Sequence, residues 1–176
     1  MRLFAIVALI VLSGAALEAA GPPELGFPLH CALGEDCWIV NYVDVDAVAE
    51  SVADFQCGRQ TYDQHDGTDS AVRDWRSMEA GVDVIAAAPG TVIRIRDGET
   101  DRVRTRAELS EIQKAGRECG NGVLLDHGDG WRTIYCHMKQ GSIPVAKGET
   151  VDAGRKLGEV GHSGFVEFPH LHIGVL

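Results

Sequence analysis

The last seven residues, His170-Leu171-His172-Ile173-Gly174-Val175-Leu176, set two histidines inside an apolar run. A β-strand sends successive side chains to opposite faces, so His170 and His172 point the same way, roughly 6–7 Å apart. That spacing suits two neighbours in one site, with one imidazole on a metal ion and the other beside it, reaching the ion's open position. The pair needs partners from elsewhere in the chain. Two segments offer them: His65-Asp66-Gly67-Thr68-Asp69 and Tyr135-Cys136-His137.

The chain around these segments has the makeup of one globular domain with small additions: 176 residues, 45% hydrophobic and 24% charged. Its net charge of −10 and its lack of any dense Lys/Arg cluster exclude a nucleic-acid partner. An anionic substrate would have to be held by specific contacts. Residues 1–20 read as a secretory signal peptide. Arg2 is a minimal charged start, residues 3–12 form an apolar stretch too short to span a bilayer, and small residues follow at 13–16 and 19–21. Cleavage is expected between 16 and 21, the alternative being an uncleaved anchor. No cysteine follows closely enough to suggest a lipoprotein. The expected product is therefore exported, periplasmic or secreted, monomeric, and without a stable membrane anchor.

Five cysteines, at 31, 37, 57, 119 and 136, fit an oxidising compartment, and the odd count leaves one unpaired. Cys31 and Cys37 could close a small loop. Cys57 and Cys119 could staple an N-terminal extension, residues 21–57, to the core. Cys136 is either a buried thiol or a partner for Cys119. Within a strand it should face away from His137, which makes a Cys136–His137 nucleophilic pair the poorer reading.

The main domain is expected over 58–176. Strands are predicted at 82–88, 91–96, 123–126, 131–135 and 143–145, with another at 38–43 in the extension. Residues 61–69 read as a polar loop, and 147–158, with spaced glycines, as small β-corners. His127-Gly128-Asp129-Gly130 is a hairpin turn. Ala107, Leu109, Ile112 and Ala115, stopped by Gly116, predict a short helix within an inserted loop. Short strands separated by glycine turns imply a mostly β, antiparallel, sheet or sandwich-like domain with a disulfide-tied extension.

Catalytic zinc takes three protein ligands and keeps a fourth position for water. His65 and Asp69 can reach one ion if the backbone turns sharply, which Gly67 permits. H-x-x-x-D, H-x-H and a lone His137 are each common by chance, and their combination is far more specific. The other histidines, His30, His127 and His162, sit in loops or turns and read as solvated polar residues, although His162 could line a cleft.

The motifs together resemble a known family. H-x-G-x-D at 65–69 is followed by Ala-Pro-Gly-Thr-Val at 88–92 and Gly-Asn-Gly-Val-Leu-Leu-Asp-His-Gly-Asp-Gly at 120–130. Tyr-x-His at 135–137, Lys-Gly-Glu-Thr-Val, a Gly-x-x-Gly-His-Ser-Gly run and Pro-His-Leu-His at 169–172 complete the order. This series closely resembles the lysostaphin-type, LytM-like zinc endopeptidases of bacterial cell walls, over roughly 58–176. The resemblance implies zinc (Zn2+) held by His65, Asp69 and His172, with His137 and His170 as the catalytic histidines. It also implies an antiparallel β architecture with the metal in a groove, and peptidoglycan stem or cross-bridge peptides as substrate. The loop at 70–81 and the insertion at 99–118 are longer than the family's compact form, which bears on the groove rather than the metal site. The chain also stops directly after the terminal strand, where members usually run on a little, so a trimmed sequence is expected.

The implied chemistry is water activated by zinc, with His137 and His170 moving protons or stabilising the oxyanion. Tyr62 and Tyr135 are expected to pack, the alternative being help to the oxyanion. Two rival readings stand beside this one: a non-catalytic zinc-binding regulator of another cell-wall hydrolase, and a carbohydrate- or peptide-binding β-module whose zinc is structural or absent.

Overall fold

The computed structural model describes residues 21–176, so the expected signal peptide at 1–20 lies outside the described residues. In chain order the elements are β1 (Cys37–Asn41), β2 (Gly67–Val72), α1 (Trp75–Ala80), β3 (Asp83–Ile85), β4 (Gly90–Arg96) and α2 (Arg106–Lys114). There follow β5 (Asn121–Gly128), β6 (Trp131–Met138), β7 (Thr150–Val151), β8 (Lys156–Glu159) and β9 (His170–Val175). Seven strands form one antiparallel sheet in the order β1-β2-β9-β6-β5-β4-β7, and β3 pairs with β8 in a second, small sheet. The fold is mostly β and antiparallel, as the glycine-punctuated strand pattern implies.

Alternation decides which face is buried. On one face of the large sheet, Val92, Val123, Leu125, Tyr135 and Leu171 are fully buried with Val84, Leu157 and Val160 from the small sheet and its flank. The opposite face carries Asp69, His172 and Cys136, which are cross-strand partners in β2, β9 and β6. The terminal strand therefore sits in the interior of the sheet, between β2 and β6, with Leu171 in the core and His170 and His172 on the other face. Central strands hold side chains on a well-defined line.

Several expected elements differ in detail. The 70–81 stretch is not one long loop. β2 runs through Val72, and α1 follows, started by Asp74, whose carboxylate accepts from Ser77 N at 2.8 Å, and anchored by buried Met78. Asp69 accordingly lies on a strand rather than in a loop. Residues 143–145 form no strand, because Pro144 has no N–H to give to a ladder, although Val145 is still buried. The predicted helix is present as α2, with a capping box between Thr105 and Glu108, and all its side chains remain at least partly exposed.

Cys31–Cys37 forms the small loop expected of it. The Cys57–Cys119 staple does not form. Cys119 pairs with Cys136, and among the described residues Cys57 is the cysteine left free, exposed on a loop. The reading of Cys136 as Cys119's partner is the one realised. His162 is not solvated: it is buried, with its ring 4.6 Å from that of Trp75 and Nδ1 3.1 Å from the Arg102 carbonyl.

Tyr135 has the packing role expected of it. It is fully buried, and its hydroxyl accepts from Ala87 N at 2.8 Å. Tyr135→Phe leaves that buried N–H without a partner, so we expect a loss of about 1–3 kcal/mol in urea unfolding with no change in zinc uptake.

Candidate metal centre and catalytic site

His65, Asp69 and His172 converge. Asp69 Oδ1 lies 3.1 Å from His65 Nε2 and 3.0 Å from His172 Nδ1, and the two ring nitrogens are 3.2 Å apart. Four-coordinate zinc with bonds of 2.0–2.1 Å has ligand-to-ligand edges of about 3.3 Å if tetrahedral. The three donor atoms thus form a nearly equilateral triangle of the size that such an ion spans. The donor set of two imidazoles and one carboxylate suits zinc as well. A second cluster of metal-binding residue types, Cys31, Asp36 and Cys37, is closed to an ion because its two sulfurs are bonded to each other.

The lone pairs are aimed by the surrounding backbone. His65 Nδ1 donates to the Tyr42 carbonyl at 2.7 Å, which leaves Nε2 free to act as a ligand. His172 Nε2 lies 3.4 Å from Asp66 Oδ1, which leaves Nδ1 facing the triangle. Asp69 is almost completely buried. Burial alone would raise its pKa, but the imidazoles of His172, His65 and His170 and the Asn41 amide around it outweigh this and hold the carboxyl well below the usual carboxylate range. Burial likewise opposes charge on His172, yet Asp66 and Asp69 raise its pKa to about 9. The triangle therefore favours positive charge at its centre, and the residues fit a divalent cation.

His137 and His170 stand beside the triangle with ring centroids 4.8 Å apart, and His137 lies 5.9 Å from His172. His137 Nδ1 donates to the Ser163 carbonyl at 3.0 Å, and His170 Nδ1 to the Phe168 carbonyl at 2.8 Å. A carbonyl only accepts, so in both rings the proton sits on Nδ1 and Nε2 is the acceptor. Burial pushes both pKa values down. For His137 the neighbouring His170 and His172 add to the shift, and for His170 the pull of Asp69 only partly offsets it. Both rings are neutral at neutral pH.

His137 reaches this position against simple alternation. Next to Cys136 it should point into the core, yet both residues line the same cleft. The pairing of β5 with β6 shifts register between Asn121↔Met138 and Val123↔Tyr135, placing one extra residue on β6, and His137 takes a φ of 63°. This bulge turns the imidazole to the metal face. The Cys119–Cys136 bond lies alongside, and His137 N donates to the Cys119 carbonyl at 2.7 Å. Cys136 therefore does not face away from His137 as expected, but its sulfur is bonded and cannot act as a nucleophile. The cleft measures about 740 Å³ and is walled by Tyr62, whose ring stacks on His65 at 4.3 Å, and by Asp66, Glu118 and Phe165. Of the other two histidines, His127 bonds Pro89 and Thr133 away from the site, and His30 is exposed.

The five residues singled out in the sequence are thus brought together. Those missed are Asn41, the carbonyl of Tyr42 and Asp66, which contact the three converging side chains. Asn41 and Tyr42 lie in a segment with no recognisable motif.

The family model for peptidase family M23 matches residues 63–176, which carry all five. The chain belongs to this family. It is the one that the motif order resembles. The M23 chain is 31% identical over 108 residues to peptidoglycan DD-endopeptidase ShyA of Vibrio cholerae, covering 61% of this chain and 19% of that protein. It is 40% identical over 65 residues to cell division protein DipM of Caulobacter vibrioides, covering 35% and 10%. The chain thus spans a fifth or less of the length of these relatives. Among solved structures, a mutant catalytic domain of the prophage-encoded M23 protein EnpA from Enterococcus faecalis aligns with a TM-score of 0.51 at 20% identity, covering 88% of this chain and 85% of that one. The SpoIIQ–SpoIIIAH pore-forming complex contains a chain that aligns with a TM-score of 0.57 at 20% identity, covering 88% and 84%. These two likenesses concern the fold.

Gly67 serves the site differently from the sharp turn expected of it. It lies on β2, and a Cβ there would fall 2.5 Å from the His172 ring. We expect Gly67→Ala to displace His172 and to weaken zinc binding by at least about tenfold in a chelator competition, as for other disturbances of ligand placement.

Proposed function

We propose that this chain is a zinc-dependent metalloendopeptidase that hydrolyses peptide bonds in bacterial peptidoglycan, in stem or cross-bridge peptides. The observation that carries the reading is the His65–Asp69–His172 triangle with two neutral, oriented histidines at its side. When bound, zinc supplies a Lewis acid for the scissile carbonyl and lowers the pKa of a water toward about 7.

The chain's own residues then divide the remaining work. His65 Nε2, Asp69 Oδ1 and His172 Nδ1 hold the ion, and the Asp69 charge strengthens the hold. His137 presents an Nε2 acceptor to the cleft, and His170 stands beside it with its own Nε2 3.6 Å from Asp69 Oδ1. One takes a proton from the attacking water on Nε2 and, as the imidazolium so formed, gives that proton to the leaving amine. On His170 that imidazolium would lie close to the Asp69 carboxylate, whose Oδ1 is 3.6 Å from Nε2. Tyr62 over His65 and the wall formed by Glu118 and Phe165 limit how a peptide chain can enter.

In this reading residues 1–20 are a removed signal peptide, 21–57 an extension and 58–176 the peptidase domain, working as a monomer in the periplasm or outside the cell. Two disulfides need an oxidising compartment, which supports export. The M23 relative ShyA, whose name states a peptidoglycan endopeptidase, supports the substrate.

Digestion of purified peptidoglycan tests the reading. Release of fragments with new amine ends is expected, abolished by a chelator. His65→Ala should lose both zinc and activity. His137→Ala should keep zinc and lose activity by at least about a hundredfold. Zinc bound at one per chain with no fragment released from peptidoglycan would contradict catalysis and favour a zinc-binding regulator instead.

A further inference from the structure

We propose that Asn41 is a positioning residue for the metal centre, so that β1 is a working part of the site and not a cover over it. The inference rests on the reading of His65, Asp69 and His172 as metal ligands. Asp69 directs Oδ1 to all three neighbouring histidines. Its Oδ2 is equally removed from water and needs a donor of its own. Asn41 Nδ2 supplies it at 3.0 Å.

The backbone goes out of its way to make this contact. β1 pairs with β2 through Ile39↔Ser70 and Asn41↔Asp69, so two steps along β1 match one along β2. Regular pairing would set Val40 against Asp69 and Asn41 against Thr68. The irregularity places an amide, rather than an apolar side chain, beside a buried carboxylate. Bulges of this kind are devices that re-aim a side chain.

The next residues of the same segment hold a second ligand. The Tyr42 carbonyl accepts from His65 Nδ1 at 2.7 Å, and Asp44 N donates to the His65 carbonyl at 2.8 Å. Residues 41–44 thus grip two of the three corners of the triangle. The other end of β1 is fastened by Cys31–Cys37. All these groups precede residue 63, where the family match begins. With Oδ2 engaged by Asn41, Asp69 has only Oδ1 to offer an ion. Loss of the amide frees the carboxylate to rotate, and the triangle loses its fixed edge.

The test is zinc affinity, measured by competition with a chromogenic chelator in the full chain. The variants are Asn41→Ala and the shape-conserving Asn41→Leu, each checked for folding by circular dichroism. Both are expected to bind zinc about 10–100-fold more weakly than wild type, the usual effect of losing a partner of a metal ligand. A role confined to packing β1 would be preserved by leucine, so unchanged zinc affinity in folded Asn41→Leu overturns the proposal. A wild-type chain that takes up no zinc would instead remove the metal-centre reading, a result distinct from equal binding by wild type and variants.

Discussion

A single buried carboxylate dictates the arrangement of this molecule. Asp69 sits on the second strand of a seven-stranded sheet, nearly free of contact with water, and a bare charge there would be strongly unfavourable. Three histidines and one asparagine surround it, His170 and His172 from one face of β9, His65 from the segment before β2 and Asn41 from β1. The sheet is what makes that convergence possible. By inserting the last strand between β2 and β6, it places His172 directly across from Asp69 on one side and Cys136 on the other, with His137 next along β6.

The same side chain serves two purposes because its surroundings differ. His172 lies between two carboxylates, and their charge outweighs burial and favours a positive ring. His137 and His170 lie a few ångströms away, where burial and the neighbouring histidines dominate, and both are held neutral. A site that attracts a cation thus adjoins a pair of proton acceptors, each aligned by a backbone carbonyl behind it. The chain belongs to peptidase family M23, and the five residues lie within the stretch that matches it.

Much of this was legible from residue spacing. The period-two pattern at 170–172 puts both histidines on one face, the motif order identifies the family, and the short helix at 106–114 follows from its apolar positions and its cap. Other features depend on where one strand meets another and leave no local mark. His137 faces the metal site only because β6 carries an extra residue against β5, so alternation alone misplaces it relative to Cys136. The register slip in β1 that brings Asn41 to Asp69 is equally invisible in a segment of ordinary strand composition. In the sequence Gly67 suggests a sharp turn, whereas its need for a missing side chain arises from a ring more than a hundred residues away. The pairing of Cys119 with Cys136 depends on the return of the inserted loop to the cleft, which spacing does not determine.

The most direct measurement is X-ray absorption spectroscopy of the zinc-loaded protein. Three protein ligands drawn from His65, Asp69 and His172 predict a nitrogen and oxygen shell at about 2.0 Å with the outer-shell signature of imidazole, and His65→Ala should remove the bound zinc. A sulfur shell at about 2.3 Å, or a shell without imidazole scattering, would place the metal elsewhere and contradict the account.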